Sequence, residues 1–428
     1  MLIHVVKPGD TVYSIALEYG IPMSQLILDN GLETSSRLAV GQALVVQFPT
    51  QTHTVQPRET LASIAAAYQL PLRQLYRNNP ILGGIPELYP GQTLVLAYDS
   101  TPEATLSVNG YAYPFIDPAL LQSTVPYLTY LTPFTYGFTP DGTLVELDDE
   151  ALLAAARQGG AAPLMHLSTL TEEGGFSNEL AHLALTQPAV QDTLVDNLEA
   201  MLVQKGYRGL DVDFEYVEER DKEAFFHFLG RARERLHQDG FFLHVDLAPK
   251  THAQQPGLLY AAHDYSVIGA IADSVLLMTY EWGYAYGPPM AVAPLPQVEE
   301  VLQYGVTEIA PGKIQLGIPN YGYDWTLSYE PSRRAATIGN QEAVRLAGQV
   351  GAEIQFDTVS QAPYFRYTRE GIAHQVWFED ARSIQAKLQL ALQYGIGGVA
   401  YWNLLRPFSQ NWALLSQKIR ILNRREGP

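Results

Sequence analysis

The chain has 428 residues, 47% of them hydrophobic, no cysteine and a formal net charge of -18. That length holds about two or three domains at roughly 100 to 200 residues each, and the charge repels nucleic acid and anionic membranes. Disulfides, thiolate metal sites and cysteine nucleophiles are excluded, and the ten histidines show no HxxxH-type spacing, so no metal or other cofactor is expected. No apolar run approaches the ~18 residues of a membrane helix, and the opening MLIHVVKPGD lacks the basic-then-apolar layout of a secretory signal.

The first hundred residues repeat. His4-Val-Val-Lys-Pro-Gly-Asp-Thr returns as His53-Thr-Val-Gln-Pro-Arg-Glu-Thr, and Ser14/Ser63, Ile15/Ile64, Ala16/Ala65, Tyr19/Tyr68, Leu26/Leu75 and Asn30/Asn79 agree at the same offset. Each copy is predicted to form a strand, a helix, a polar Asn turn, a second helix and a closing strand, Ala43 to Val46 or Thr93 to Leu96. These βααβ units, 2–48 and 52–98, resemble LysM modules, a family that binds the N-acetylglucosamine backbone of peptidoglycan and chitin. Arg58 stands where that family usually has Gly. The competing reading is a pair of structural domains without ligand; two tandem copies favour binding, because linked weak sites gain avidity. Residues 49–51 and 99–104 read as linkers.

From about residue 105 apolar strand-like runs alternate with helical stretches. The runs are 106–115, 127–138, 162–168, 209–216, 241–248, 274–281, 314–323 and 397–404, with helical segments such as Asn178 to Lys205, Glu218 to Gln238, Leu295 to Tyr304 and Ser383 to Tyr394 between them. Eight strands in that order predict an α/β fold, a parallel (β/α)8 TIM barrel over 105–424. The wide spacing before the last strand predicts a small α+β insertion at about 326–380, on the catalytic face.

Within GLDVDFEYV, residues 209–217, a strand sends Asp211, Asp213 and Glu215 to one side and Leu210, Val212, Phe214 and Tyr216 to the other. A half-exposed strand with an acidic outer face would give the same pattern, but parallel barrel strands rarely have a solvated face. Three acids facing a barrel interior cannot all ionise freely, and a carboxyl that keeps its proton near neutral pH serves as a general acid.

RGLDVDFE is similar to the DGxDxDxE signature of glycoside hydrolase family 18, and the similarity continues through MTYEWG (278–283), GIPNYGYDW (317–325) and GVAYWNL (398–404). The resemblance implies a retaining, substrate-assisted hydrolysis. In it Glu215 protonates the glycosidic oxygen and later activates water, and the substrate's acetamido oxygen attacks the anomeric carbon. Asp213 supports the resulting oxazolinium, Asp211 sits beneath and shares a proton or hydrogen bond with Asp213, Tyr280 holds the acetamido carbonyl, and Trp402 floors the sugar ring. Glu281, Trp282, Tyr321, Tyr323 and Asp324 are candidate sugar contacts. Arg208, Glu281, Trp282 and the strand end HLSTLT depart from the commonest chitinase pattern. They match the LysM-bearing spore cortex-lytic N-acetylglucosaminidases of endospore-forming bacteria, as do NGYAYPF, GFSNELAH and LAPK. That branch implies a monomer acting on peptidoglycan or cortex glycan in the spore or cell wall, without nucleic acid, membrane or cofactor. The alternatives are a chitinase and a catalytically silent glycan-binding coat protein; the intact Glu215 argues against the second.

Overall fold

The computed structural model describes residues 1–33, 37–171, 175–327 and 333–423. Eight parallel strands close a barrel: Ala104–Ala112, Tyr130–Pro133, Ala162–Ser168, Gly209–Asp213, Phe242–Leu247, Ser274–Leu277, Ile314–Pro319 and Gly398–Trp402, the eighth pairing back onto the first. A short parallel strand, Ile419–Ile421, extends the first strand at its start. Among the described residues no helix is long and apolar enough to cross a membrane.

The fourth strand shows why the barrel forms. Its outward set Leu210, Val212 and Phe214 is buried against helices, and the Phe214 ring stacks on Phe225 and Phe228 of helix Lys222–Gln238 at 5.9 and 5.8 Å between centroids. That helix repeats apolar residues at 225, 228, 229, 232 and 236, one stripe of a 3.6-residue period. The segment expected as one helix from Asn178 to Lys205 is two, Asn178–Thr186 and Pro188–Lys205. Pro188 lacks an N–H and restricts Gln187 to extended backbone, so it starts a helix better than it continues one.

Between the seventh and eighth strands lies a five-stranded antiparallel sheet packed on helix Asn340–Val350. Its second strand, Gly322–Thr326, was expected to belong partly to the barrel; Tyr323 pairs instead with Thr337 and Trp377. Residues 328–332 of the expected insertion, and residue 424 of the expected barrel, lie outside the described residues.

Both N-terminal modules pair their first and last strands antiparallel around two helices. The repeated asparagine follows the second helix rather than separating the two: Asn30 caps Met23–Asp29, donating to Leu26 O and Val45 O while accepting from Val45 N. Asn79 makes the same three bonds with Leu75 and Val95. A side chain that bonds backbone this way favours a helix end over a helix-to-helix turn. Arg58 has φ 74°, in the left-handed region that Gly9 occupies in the first copy at 92°, so the turn survives at a strain cost of about 1 kcal/mol.

The segments expected as linkers are tied down. Residues 49–51 begin the strand Pro49–Thr54, and Glu103 pairs with Lys418 at 2.7 Å. The modules press on the barrel. Ala43 and Val45 pack with Ala381 and Ala413, and Gln410 donates to Ala43 O at 2.6 Å and Asn30 Oδ1 at 3.1 Å. The second module inserts Arg73, which donates to the carbonyls of Gly160, Val125, Pro126 and Leu128.

Candidate active site

Register places Asp211 between His166 on the third strand and His244 on the fifth, and Asp213 beside Ser168. The barrel interior here is polar: Asp211, His166, His244 and Asp246 are all buried. Tyr111, from the first strand, donates its hydroxyl to Asp211 Oδ2 at 2.9 Å and to Asp246 Oδ1 at 3.0 Å. The Asp246 carboxyl shares the Tyr111 hydroxyl with Asp211, and its charge adds to the shift of Asp211. Asp211 is thus tied to Tyr111 and stands among the charges that raise Asp213. The nearest cation-capable group to Asp213 is His166, whose Nε2 lies 3.7 Å from Oδ2.

Burial, followed by the charge of Asp246, raises the Asp211 carboxyl well above the usual carboxylate range. Burial also raises Asp213, with Glu215, Asp246 and Asp211 adding to it. Asp246 is pushed up to about 7, chiefly by burial. Glu215 is raised by burial and then by the charge of Glu281. The two histidines move the other way, burial taking His166 down to about 4 and His244 to about 3. Both rings are thus neutral across the neutral range. Among the described residues, His166, Asp213 and Asp246, and likewise Asp211, His244 and Asp246, bring three ligand-type atoms within 4.8 Å of one another, the groups that could hold a cation.

These shifts fix the sign of a pH effect. Folded Asp246 keeps its proton up to about pH 7, whereas an unfolded aspartate releases it near 3.8. Its contribution to stability is complete below about pH 4 and is lost as the pH rises to about 7. His166 and His244 act oppositely, losing stability as the pH falls below 6.5, but they are common to a variant and its parent. Asp246→Asn removes the first effect, and with it the charge that helps raise Asp211 and Asp213, which acts in the same direction. Its thermal midpoint minus that of the wild type is expected to be more positive at pH 8 than at pH 5; a flat or falling difference would contradict the buried, proton-holding assignment.

Past the sixth strand the chain turns at Glu281, where φ is 68°, and Glu281 accepts from the hydroxyls of Tyr321 and Tyr323. Left-handed backbone at a non-glycine residue is strain of the kind that gathers at functional sites. Tyr280 lies over Gly317, where an added Cβ would come within 2.7 Å of the tyrosine ring; the first glycine of GIPNYGYDW thereby leaves the space in which Tyr280 sits. Among the charges raising the Tyr280 hydroxyl after burial are those of Asp246, Asp213, Glu215 and Glu281. Trp402 packs on Tyr111, Tyr113 and Phe134 at 5.7, 6.0 and 4.8 Å between centroids.

A cleft of about 590 Å³ brings together Glu215, Tyr280, Glu281 and Trp282, with Tyr216, Tyr260 and Tyr284 on its walls. Asp211 and Asp213 lie on the fourth strand, which ends at Asp213 rather than running to 216 as expected, so Glu215 stands in the turn just past it, and Tyr321 and Tyr323 join the site through Glu281. Asp324 does not join it. It is held within the insertion by Tyr367 at 2.5 Å and His374 at 2.9 Å, since the strand's alternation turns it away from the side of Tyr323. Tyr111, His166, His244 and Asp246 were not foreseen. Tyr111 comes from the first strand, His166 from the third, and His244 and Asp246 from the fifth, and only closure of the barrel gathers them; the nearest signals were NGYAYPF, which contains Tyr111, and HLSTLT, which contains His166.

The family model for glycosyl hydrolases family 18 matches residues 123–406, and that for the LysM domain matches residues 4–47 and 53–97. The chain is 40% identical over 430 residues to the cortical fragment-lytic enzyme of Bacillus anthracis, covering 97% of this chain and 98% of the relative. It is 40% identical over 432 residues to the protein of that name from Bacillus subtilis (strain 168), covering 99% of each. The crystal structure of the Bacillus cereus spore cortex-lytic enzyme SleL matches with a TM-score of 0.84 and 37% identity, covering 99% of this chain and 98% of that one. With a closed eight-stranded parallel barrel, an acid-lined interior and matches that run the length of the chain, the protein belongs to glycoside hydrolase family 18 and is a glycosidase carrying two N-terminal LysM domains.

Proposed function

We propose that the protein is a retaining, substrate-assisted N-acetylglucosaminidase of bacterial peptidoglycan, acting on spore cortex glycan, with Glu215 as its acid and later its base. The observation that carries this reading is Glu215 in the cleft, its carboxyl raised by burial and by Glu281 and its charge adding to the shift of the buried Asp213 two residues before it. A carboxyl whose pKa is raised keeps its proton to higher pH and is better placed to give it to a leaving-group oxygen. Asp213 Oδ1 is buried without a hydrogen-bond partner among the described residues, so it is free to face a cationic oxazolinium as that charge develops. Tyr280 orients the acetamido carbonyl and Trp402 supports the ring, while Glu281, Trp282, Tyr321 and Tyr323 border the sugar. The cortex assignment is supported by likeness to relatives named as cortex-lytic. The LysM domains hold the enzyme on its polymer, at the spore or cell wall.

The test is digestion of purified spore cortex and of chitin side by side, read by mass spectrometry, with the fresh reducing end followed by proton NMR. New N-acetylglucosamine ends from cortex, formed first as the β anomer, are expected. Preferential release from chitin would make the protein a chitinase, and an initial α anomer would exclude the substrate-assisted route.

A further inference from the structure

Glu215 stands beyond the last ladder pair of its strand. Pairing to the third strand ends at Asp213 and to the fifth at Val212, so neither neighbouring strand holds the peptide that carries the acid. A side chain does. His263 Nε2 lies 3.1 Å from the carbonyl oxygen of Phe214, the residue between Asp213 and Glu215. On the other side of the ring, Ala248 N is 2.8 Å from Nδ1. A backbone amide only donates, so Nδ1 is the lone-pair nitrogen, and Nε2 carries the proton and donates to Phe214. The tautomer follows from the geometry alone.

The ring is buried at 1% exposure and packs near Phe225. Lys250, itself 4% exposed, donates from Nζ to the His263 carbonyl at 3.0 Å. Ala248 and Lys250 belong to LAPK, which runs out of the fifth barrel strand. The clamp therefore runs from the end of the fifth strand, through one imidazole, to the free end of the fourth.

We infer that His263 is a positioning residue for the reaction, fixing the peptide between Asp213 and Glu215 so that the carboxyl of Glu215 meets the glycosidic oxygen. It touches no reacting atom. The inference rests on Glu215 being the acid. Burial holds the ring's pKa down at about 4, so the donor tautomer persists across the neutral range. A misplacement of about 1 Å at a reacting group costs up to about a hundredfold in rate, and loss of one of the contacts that set the carboxyl's place is expected to cost about tenfold.

The test compares His263→Phe, which keeps a ring beside Phe225 but loses both hydrogen bonds, with His263→Gln, whose amide can accept from Ala248 and donate to Phe214. Assays use soluble N-acetylglucosamine-containing oligosaccharides and the full chain, with Glu215→Gln alongside. His263→Phe is expected to lower kcat about tenfold with KM within about twofold, and to displace the alkaline limb of the pH profile; His263→Gln is expected to restore most of kcat and the limb. Should His263→Phe not fold, Lys250→Met, which frees the His263 carbonyl, is expected to lower kcat in the same sense at unchanged KM. An unchanged kcat and pH profile in whichever of these two variants is folded would overturn the inference, as would a loss confined to KM. Turnover by Glu215→Gln in the same assay would instead show that the acid is misassigned.

Discussion

Glu215→Gln is expected to reduce turnover of soluble glycan by about a thousandfold, within the range that positioned acid–base groups contribute, and to leave retention on insoluble peptidoglycan unchanged. Glutamine keeps the shape and one polar oxygen but neither donates an acidic proton nor activates water, so both displacements stall. Its effect on stability should have the opposite sign. Glu215 is among the charges that raise Asp213, and Glu281 raises Glu215. Removing one acid from three that crowd each other relieves repulsion, so the thermal midpoint is expected to hold or rise while activity collapses. A variant that lost activity and stability together would be reporting damage to the barrel. Undiminished turnover would remove Glu215 from the mechanism.

Removal of residues 1–98 is expected to lower the thermal midpoint of the barrel by about 5 °C, on the order of 2 to 4 kcal/mol, read by differential scanning calorimetry. Modules on open linkers would leave it unchanged. Here the strand Ala43–Val46 is buried along its whole length because its outer face lies on the barrel's last helices. Cutting it away exposes Ala381 and Ala413 and strips Gln410 and Arg382 of the carbonyls of Ala43 and Gly41. Weaker soluble-substrate turnover in such a truncation would therefore reflect a loosened barrel as well as any lost binding. A midpoint within about 1 °C of the full chain would show that the docking contributes nothing measurable.

Much of the site was legible because its residues announce themselves locally. Asp211, Asp213 and Glu215 alternate along GLDVDFEYV, and period two needs no tertiary information, although the strand itself ends at Asp213. MTYEWG and GVAYWNL sit at the ends of apolar runs, where barrel chemistry gathers. Asp324 misled for the same reason: it adjoins Tyr323, but one residue along a strand is the opposite face. Asn30 and Asn79 were visible as a repeat, yet their place after the second helix depends on a bond to a strand some fifteen residues on.

The order of strands and helices, the repeated modules and the acidic face were determined by the sequence itself, since each rests on periodicity or identity along the chain. The tyrosine that joins Asp211 to Asp246, the neutral histidines beside it, the imidazole clamp behind Glu215 and the modules' grip on the barrel were decided only by tertiary structure. Each joins single residues far apart in sequence, and such residues meet only when barrel closure fixes their register and burial makes every unpaired polar atom costly.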